Sequence, residues 1–594
     1  MPTRPSHLVQ RLRATVRRTT GSARRLRGAF VRATPPPDAT RFDRGDMLRR
    51  LESETFDVLV VGGGITGVGA ALDAASRGLR TALVERDDFA SGTSSKSSKL
   101  VHGGLRYLQQ GEVRLVYEAL RERQRLRRNA PHLVQVLPFM IPILGKAGAG
   151  ETKSVVSRKI ARALGSAMWM YDLTGGWRIG RIHRRLRRAT AFAHLPTMDR
   201  RRLVGAYLYY DATADDARLV LTIARTAAAH GAVVANRCGV VELTHDANGI
   251  VDGTIVDTGA GRMPVRARVV VNATGVWADD VRALDEGTHP DSIRPAKGVH
   301  VTVPWSKVRN DIAVIIPVPK DKRSLFLVPW GRRTDGSFEH TYIGTTDTDY
   351  RGPLDAPQCT KDDLDYVLRA VNASVTTGIT ADDVTATWAG LRSLVKRADA
   401  ERTADLSRRH SVAVSDHGVV TVTGGKLTTY REMAQDAIDA ACARLGVDAV
   451  CRTRRLRLLG AGGAAAGIDA HLGGRFGSVA SAVQGLAEGD PTLASPLVPG
   501  LPYRRAEAVH AVRHEMARTI DDVLARRTRA RLLDRGACVA AAGEVAALMA
   551  RELGWDDAEI DRQVATFTEA CAAEAAATTV PEAELLASIA RGAA

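Results

Sequence analysis

FDVLVVGGGITGVGAALDAASRGLRTALVE, residues 56–85, sets the architecture of the N-terminal half. A short β-branched run, a glycine turn, a small-residue helix and a second strand ending in Glu85 follow one another in the order of a βαβ unit. Gly62, Gly64 and Gly67 form a GxGxxG turn that lets a pyrophosphate approach the N-terminus of the helix. Glu85, after the second strand, is placed to accept hydrogen bonds from ribose hydroxyls. The expectation is dinucleotide binding, because a chance glycine turn would lack the flanking strands and the terminal acid.

Further along the chain, RVVVNATGVWAD at 268–279 is a strand followed by Ala273-Thr274-Gly275, and GVVTVTGGKLTTYREMAQDAIDAA at 418–441 is another strand, glycine turn and helix. These three distant pieces resemble the flavoproteins whose Rossmann-like domain is assembled discontinuously. The resemblance implies FAD as cofactor. It also implies an α/β fold: a discontinuous Rossmann-like FAD-binding domain, an inserted antiparallel β-sheet substrate domain, and an α-helical C-terminal domain. The expected limits are a basic extension over 1–50, the interleaved domains over 51–445 with substrate parts near 110–205 and 285–400, and a helical region over 446–594.

A more specific resemblance lies in TSSKSSKLVHGGLRYL (93–108), EVRLVYEALRER, DATADDARLV, KGVHVTV, FLVPW, IGTTDTDY and GGKLTTYR, with AVRHEMARTIDDVLARRTRARLLD beyond them. In this order they resemble the FAD-dependent, quinone-linked glycerol-3-phosphate dehydrogenases. The resemblance implies oxidation of glycerol 3-phosphate to dihydroxyacetone phosphate, with electrons passed to a membrane quinone. Oxidases that use oxygen share most of these motifs, so oxygen stays open as the acceptor.

The loop chemistry agrees. Small residues such as Gly92, Ser94, Ser95, Ser98, Gly103 and Gly104 allow close backbone approach and hydroxyl hydrogen bonds to a flat ring and its phosphates. By resemblance, Thr93, Thr274, Gly275, Gly425 and Thr428 join them around FAD. Arg106 and Tyr107 offer a guanidinium fork and a phenol to a substrate phosphate. The resemblance also points to Arg392 in WAGLRSL, Arg408 in LSRRHSV and Lys426 as substrate-side cations, with His102 and His300 beside them. Arg392 and Lys426 would stabilise an alkoxide. His102, with an ordinary imidazole pKa near ~6.5, is the easiest general base. The family more often has proline after the arginine where this chain reads GLRSL, so the backbone at Arg392 is less constrained.

No metal site is expected. His510 and His514 stand at i and i+4 but lack the glutamate of HExxH, and Val509, Val512, Met516, Ile520 and Val523 read as the buried face of the same helix. The six cysteines are scattered, with no CxxC pair, as expected for reduced thiols. No apolar stretch approaches the about 20 residues that span a bilayer, and no export signal is read at the N-terminus.

The net charge of +18 is local. Residues 1–37 carry nine arginines and no acid, and residues 178–202 carry nine arginines against Asp199, so the two stretches hold all but one of the net charges. Leu8, Leu12, Val16, Ala23, Leu26 and Phe30 recur near helical spacing opposite the first set. That is the pattern of a helix lying on an anionic membrane surface. A peripheral position on the cytoplasmic face of the cell membrane is expected, with a homodimer left open. A nucleic-acid-binding flavoprotein is the contrasting reading, and the lack of aromatics interleaved with the first arginines argues against it.

Overall fold

Val58, Leu59 and Val60 make the strand Thr55–Val61 almost wholly apolar, as a strand buried on both faces of a parallel sheet requires. The computed structural model describes residues 42–109, 111–145, 158–321, 323–396 and 409–592. The basic stretch 1–37 with its Leu8–Phe30 stripe, and Arg408, lie outside the described residues, as does the side chain of Arg106. Thr55–Val61 pairs in parallel with Thr81–Val84 on one side and Arg262–Asn272 on the other. Val420–Thr423 then joins Arg262–Asn272, and Val233–Ala235 joins Thr81–Val84, again in parallel. One sheet is thus gathered from distant parts of the chain. The antiparallel hairpin Gly239–His245 and Val251–Asp257 extends it along Arg262–Asn272.

The helix Ile65–Ser76 follows the glycine turn and is buried almost throughout. Two glycines set how closely it packs. A Cβ on Gly67 would sit 1.8 Å from the carbonyl oxygen of Gly62, and one on Gly69 would sit 2.8 Å from the ring of Tyr430 on the helix Tyr430–Leu445.

A second sheet, of ten strands among the described residues, carries the other half of the site. Ile293–Pro304 pairs antiparallel with Ala386–Val395, which sets His300 opposite Trp388 and Arg392 opposite Ala296. Val134–Leu144 pairs antiparallel with Leu203–Ala214. The sheet is not antiparallel throughout, because Ala313–Pro317 runs parallel to Val134–Leu144. The long excursion between those two strands supplies the crossover that parallel pairing needs.

The C-terminal part is helical around its own apolar cluster, including Leu472, Val509, Ile520, Val523, Val545 and Phe567. The face read from Val509 to Val523 is largely buried, but not on one helix. The helix Arg505–Glu515 stops at Met516, which takes a left-handed conformation at φ 55°. Two interactions hold that break: Asp522 accepts from the main-chain nitrogens of Arg518 and Thr519, and Arg527 donates to the carbonyl oxygen of Glu515 at 2.7 Å.

The close approach at Gly67 gives the first prediction. Gly67→Ala should lower the melting temperature by several degrees, since overpacking of this kind costs about 3 kcal/mol. Gly474→Ala, on a helix with nothing within 4 Å of the added carbon, should leave the melting temperature unchanged or raise it. Equal melting of the parent and Gly67→Ala would show that the helix is free to move off the strand.

Candidate active site

A cavity of about 830 Å³ opens where the two sheets meet. From the parallel sheet come Gly62, Gly64 and Glu85, with Thr274 and Gly275 after the strand Arg262–Asn272 and Gly425, Lys426 and Thr428 after Val420–Thr423. From the serine loop come Thr93, Ser94 and Ser98, followed by His102, Gly104 and Tyr107, and from the second sheet come His300 and Arg392. Gly67, Ser95 and Gly103 stand behind this wall. Gly67 packs the helix, the Ser95 carbonyl oxygen accepts from Lys99 Nζ at 3.3 Å, and Gly103 N donates to the Tyr171 hydroxyl at 3.1 Å.

The donor end of the cavity is built from backbone. Gly62 holds φ +109°, and a Cβ there would lie 2.8 Å from the Ala273 carbonyl oxygen. Gly64 caps the helix Ile65–Ser76, and Ser94 Oγ accepts from Ile65 N at 2.9 Å, so the serine loop touches the first turn of the dinucleotide helix. Glu85 accepts from Gly63 N at 2.6 Å and Asp87 N at 2.8 Å. Burial pushes Glu85 up from the usual 4.5 to about 7, although those two N–H groups pull the other way. A carboxyl so placed gains from further hydroxyl donors. Glycines that leave no room for a side chain, a helix N-terminus and a half-buried acid are the parts a ribose and pyrophosphate need, so the residues present fit FAD.

The cavity wall also carries cations. Arg392 Nη1 donates to Asp347 Oδ1 at 3.1 Å, and its Nη2 donates to Thr345 Oγ1 at 3.2 Å and the Thr346 carbonyl oxygen at 3.3 Å. Lys426 Nζ lies 3.5 Å from the centre of the Tyr107 ring. Thr428 ties two distant motifs, its hydroxyl accepting from His102 N at 3.2 Å and donating to the His102 carbonyl oxygen at 3.3 Å. His300 is 2% exposed and stacks on Trp388 at 4.8 Å, with Nε2 2.9 Å from Ser98 Oγ. Burial, then Lys99 and Arg392, hold its pKa well below the usual imidazole value, so His300 is neutral.

Some lining residues were not singled out from the sequence. Arg323 lines the cavity and is fixed by Asp321 and the Asp347 carbonyl oxygen, at 2.7 and 2.6 Å. It immediately precedes the strand that carries FLVPW. Asp347 lies inside IGTTDTDY, a stretch recognised only as a motif. Lys96 also faces the cavity, and burial, with Arg526 alongside, lowers it to about 8.

The geometry is matched by likeness to known proteins. A family model described as FAD dependent oxidoreductase covers residues 57–431, and one described as the C-terminal domain of alpha-glycerophosphate oxidase covers 446–560. Glycerol-3-phosphate dehydrogenase 2 of Mycobacterium tuberculosis is 42% identical over 553 residues, 90% of this chain and 91% of the relative. The mitochondrial glycerol-3-phosphate dehydrogenase of Homo sapiens is 36% identical over 563 residues, 88% of this chain and 74% of that protein. A solved glycerol-3-phosphate dehydrogenase from Bacillus halodurans, complexed with FAD, superposes with a TM-score of 0.69 at 30% identity, covering 89% of this chain and 97% of that one.

Two measurements test the cofactor end. Gly64→Val should fold but purify colourless, because its side chain would fill the space next to Ser94 Oγ, already 3.2 Å from a Cβ; a fully yellow variant would contradict the assignment. In the FAD-free protein, Glu85 stabilises the fold fully below its unfolded pKa and loses that contribution as pH rises through about 7. Between pH 5 and 8 the parent should therefore lose about 3 kcal/mol relative to Glu85→Gln. Parallel stability curves would show Glu85 to be ionised without cost.

Proposed function

This chain belongs to the FAD-dependent oxidoreductase family, among the glycerol-3-phosphate dehydrogenases, and from that premise we propose that it oxidises sn-glycerol 3-phosphate to dihydroxyacetone phosphate. The observation that carries the reading is a cavity whose wall holds both dinucleotide-binding backbone and the cations Arg323, Arg392 and Lys426. A small phosphorylated alcohol matches that charge. In the reaction the C2 hydrogen leaves as hydride, the hydroxyl proton leaves, and the C2–O bond becomes a carbonyl. FAD, when bound, supplies the hydride acceptor.

The chain's own residues do the rest. Arg106 and Tyr107 read the phosphate, with Arg408 on the substrate side. Arg392, held by Asp347 and the Thr345–Thr346 backbone and hydroxyl, and Lys426, over Tyr107, stabilise negative charge on the C2 oxygen. His102, whose main chain is fixed by Thr428, takes the hydroxyl proton. His300, kept neutral, offers a weakly basic imidazole that positions the substrate without adding charge.

Electrons pass next to a membrane quinone, and the enzyme works on the inner face of the cell membrane. No helix among the described residues is long and apolar enough to cross a membrane. Trp169, Leu173 and Trp177 are 56%, 78% and 56% exposed, close in sequence to Arg178, Arg181, Arg184 and Arg185. Bulky apolar groups beside arginines suit a headgroup boundary. The alternative acceptor is oxygen, favoured by the oxidase-type description that residues 446–560 match.

Arg392→Ala should lower kcat/KM for glycerol 3-phosphate by about ten- to a hundredfold, the worth of a hydrogen bond to a charged group, with flavin content intact; unchanged kinetics would remove Arg392 from the reaction. Replacing Trp169, Leu173 and Trp177 with serine should reduce sedimentation with anionic vesicles and slow reduction of a membrane quinone more than of a soluble dye. Sedimentation equal to the parent at low and high salt would sink the membrane reading. Reoxidation faster by oxygen than by quinone would make the protein an oxidase.

A further inference from the structure

Away from the cavity, His245, Asp285 and His417 meet although they lie far apart in the chain. Their ligand atoms all fall within 4.8 Å of one another. His245 ends the strand Gly239–His245, Asp285 is on the helix Ala278–Glu286, and His417 lies between the strands Ser411–Val414 and Val420–Thr423. The imidazoles of His245 and His417 stand edge-on, 5.6 Å between centres. The Asp285 side chain is 1% exposed, and His417 Nδ1 lies 3.1 Å from its Oδ1 and 2.9 Å from its main-chain oxygen. The other carboxylate oxygen, Oδ2, is buried and has no hydrogen-bond partner.

A buried carboxylate oxygen without a donor is costly, commonly by several times the worth of a surface hydrogen bond. A cation would satisfy it. We propose that His245, Asp285 and His417 form a site for a divalent transition ion of the zinc type. Two imidazoles and one carboxylate suit zinc, nickel or cobalt, whereas magnesium and calcium favour all-oxygen sets. Three ligands at about 2.1 Å around a tetrahedral ion lie about 3.4 Å apart, so binding would draw together ligand atoms that now lie within 4.8 Å of one another, and His245, the exposed member, is the least confined of the three. Water takes the fourth position.

Such an ion would bind three elements that border the cavity. The helix of Asp285 lines it through Asp280, Val281 and Leu284, and the strand of His245 lines it through Val240 and Val241. His417 leads through Val420–Thr423 to Gly425 and Lys426, and its carbonyl oxygen already accepts from Val251 N at 3.0 Å. The ion would act as a brace on the cofactor end, raising stability by mass action.

The test is calorimetric titration of the chelator-treated, dialysed holoenzyme with zinc sulfate. The expected result is one equivalent bound, with affinity weakened about tenfold or more in both His245→Ala and His417→Ala and unchanged in His514→Ala. Flavin content should be the same in all three variants, and zinc should raise the melting temperature of the parent but not of His245→Ala. No binding, or an isotherm unaffected by either His245→Ala or His417→Ala, would overturn the site.

Discussion

A buried carboxylate, Asp216, holds the wall of the cavity in place. Its Oδ2 accepts from the main-chain nitrogen and hydroxyl of Ser97 at 3.1 and 2.7 Å, while Oδ1 takes Arg529 Nη2 at 2.9 Å and Lys99 Nζ at 3.3 Å. Burial alone would raise its pKa, but Lys99, Arg529 and Ser97 outweigh it and hold Asp216 below the usual carboxylate range. Arg529 Nη2 also reaches the carbonyl oxygen of Ser95. The serine loop therefore depends on an arginine from the C-terminal helices. Removing one member of such a cluster strands the others, at about 3–5 kcal/mol. Asp88 repeats the arrangement with Arg527 at 2.8 Å, so a second buried carboxylate bolts the helical region to the dinucleotide side.

The same cluster sets the electrostatics of the site. Lys99 lies 4.6 Å from the Trp388 ring, and burial with Arg529 alongside lowers it to about 8 against the pull of Asp216. Trp388 stacks on His300, and Lys99 and Arg392 both disfavour a proton on that imidazole. A chain of contacts thus runs from the structural cluster to a cavity histidine. It leaves positive charge in the cavity wall on Arg392, Arg323 and Lys426, with none added by His300.

The legible signals are the local ones. The glycine turn, Glu85, the Ala-Thr-Gly strand end and GGKLTTY are each short, because a phosphate-binding turn is made by neighbouring residues, and the structure brings them to one cavity. The serine loop was legible as chemistry but not as a supported object. Asp216 lies 119 residues from Ser97 and 313 from Arg529, and no spacing rule links such partners. Arg323 is illegible for the same reason, since its reach into the cavity depends on Asp321 and on the backbone at Asp347. The break at Met516 was hidden because apolar spacing continues across it, whereas the groups that hold it, Asp522 and Arg527, are polar.

Under the proposed function, a small phosphorylated alcohol reduces FAD in the cavity between the two sheets. Anaerobic mixing of the purified holoenzyme with sn-glycerol 3-phosphate, followed by flavin absorption, tests it most directly. The predicted result is rapid, saturable bleaching, far slower with free glycerol at the same concentration and slowed in Arg392→Ala. Flavin that stays oxidised with sn-glycerol 3-phosphate, or bleaches equally fast with glycerol, would contradict the account.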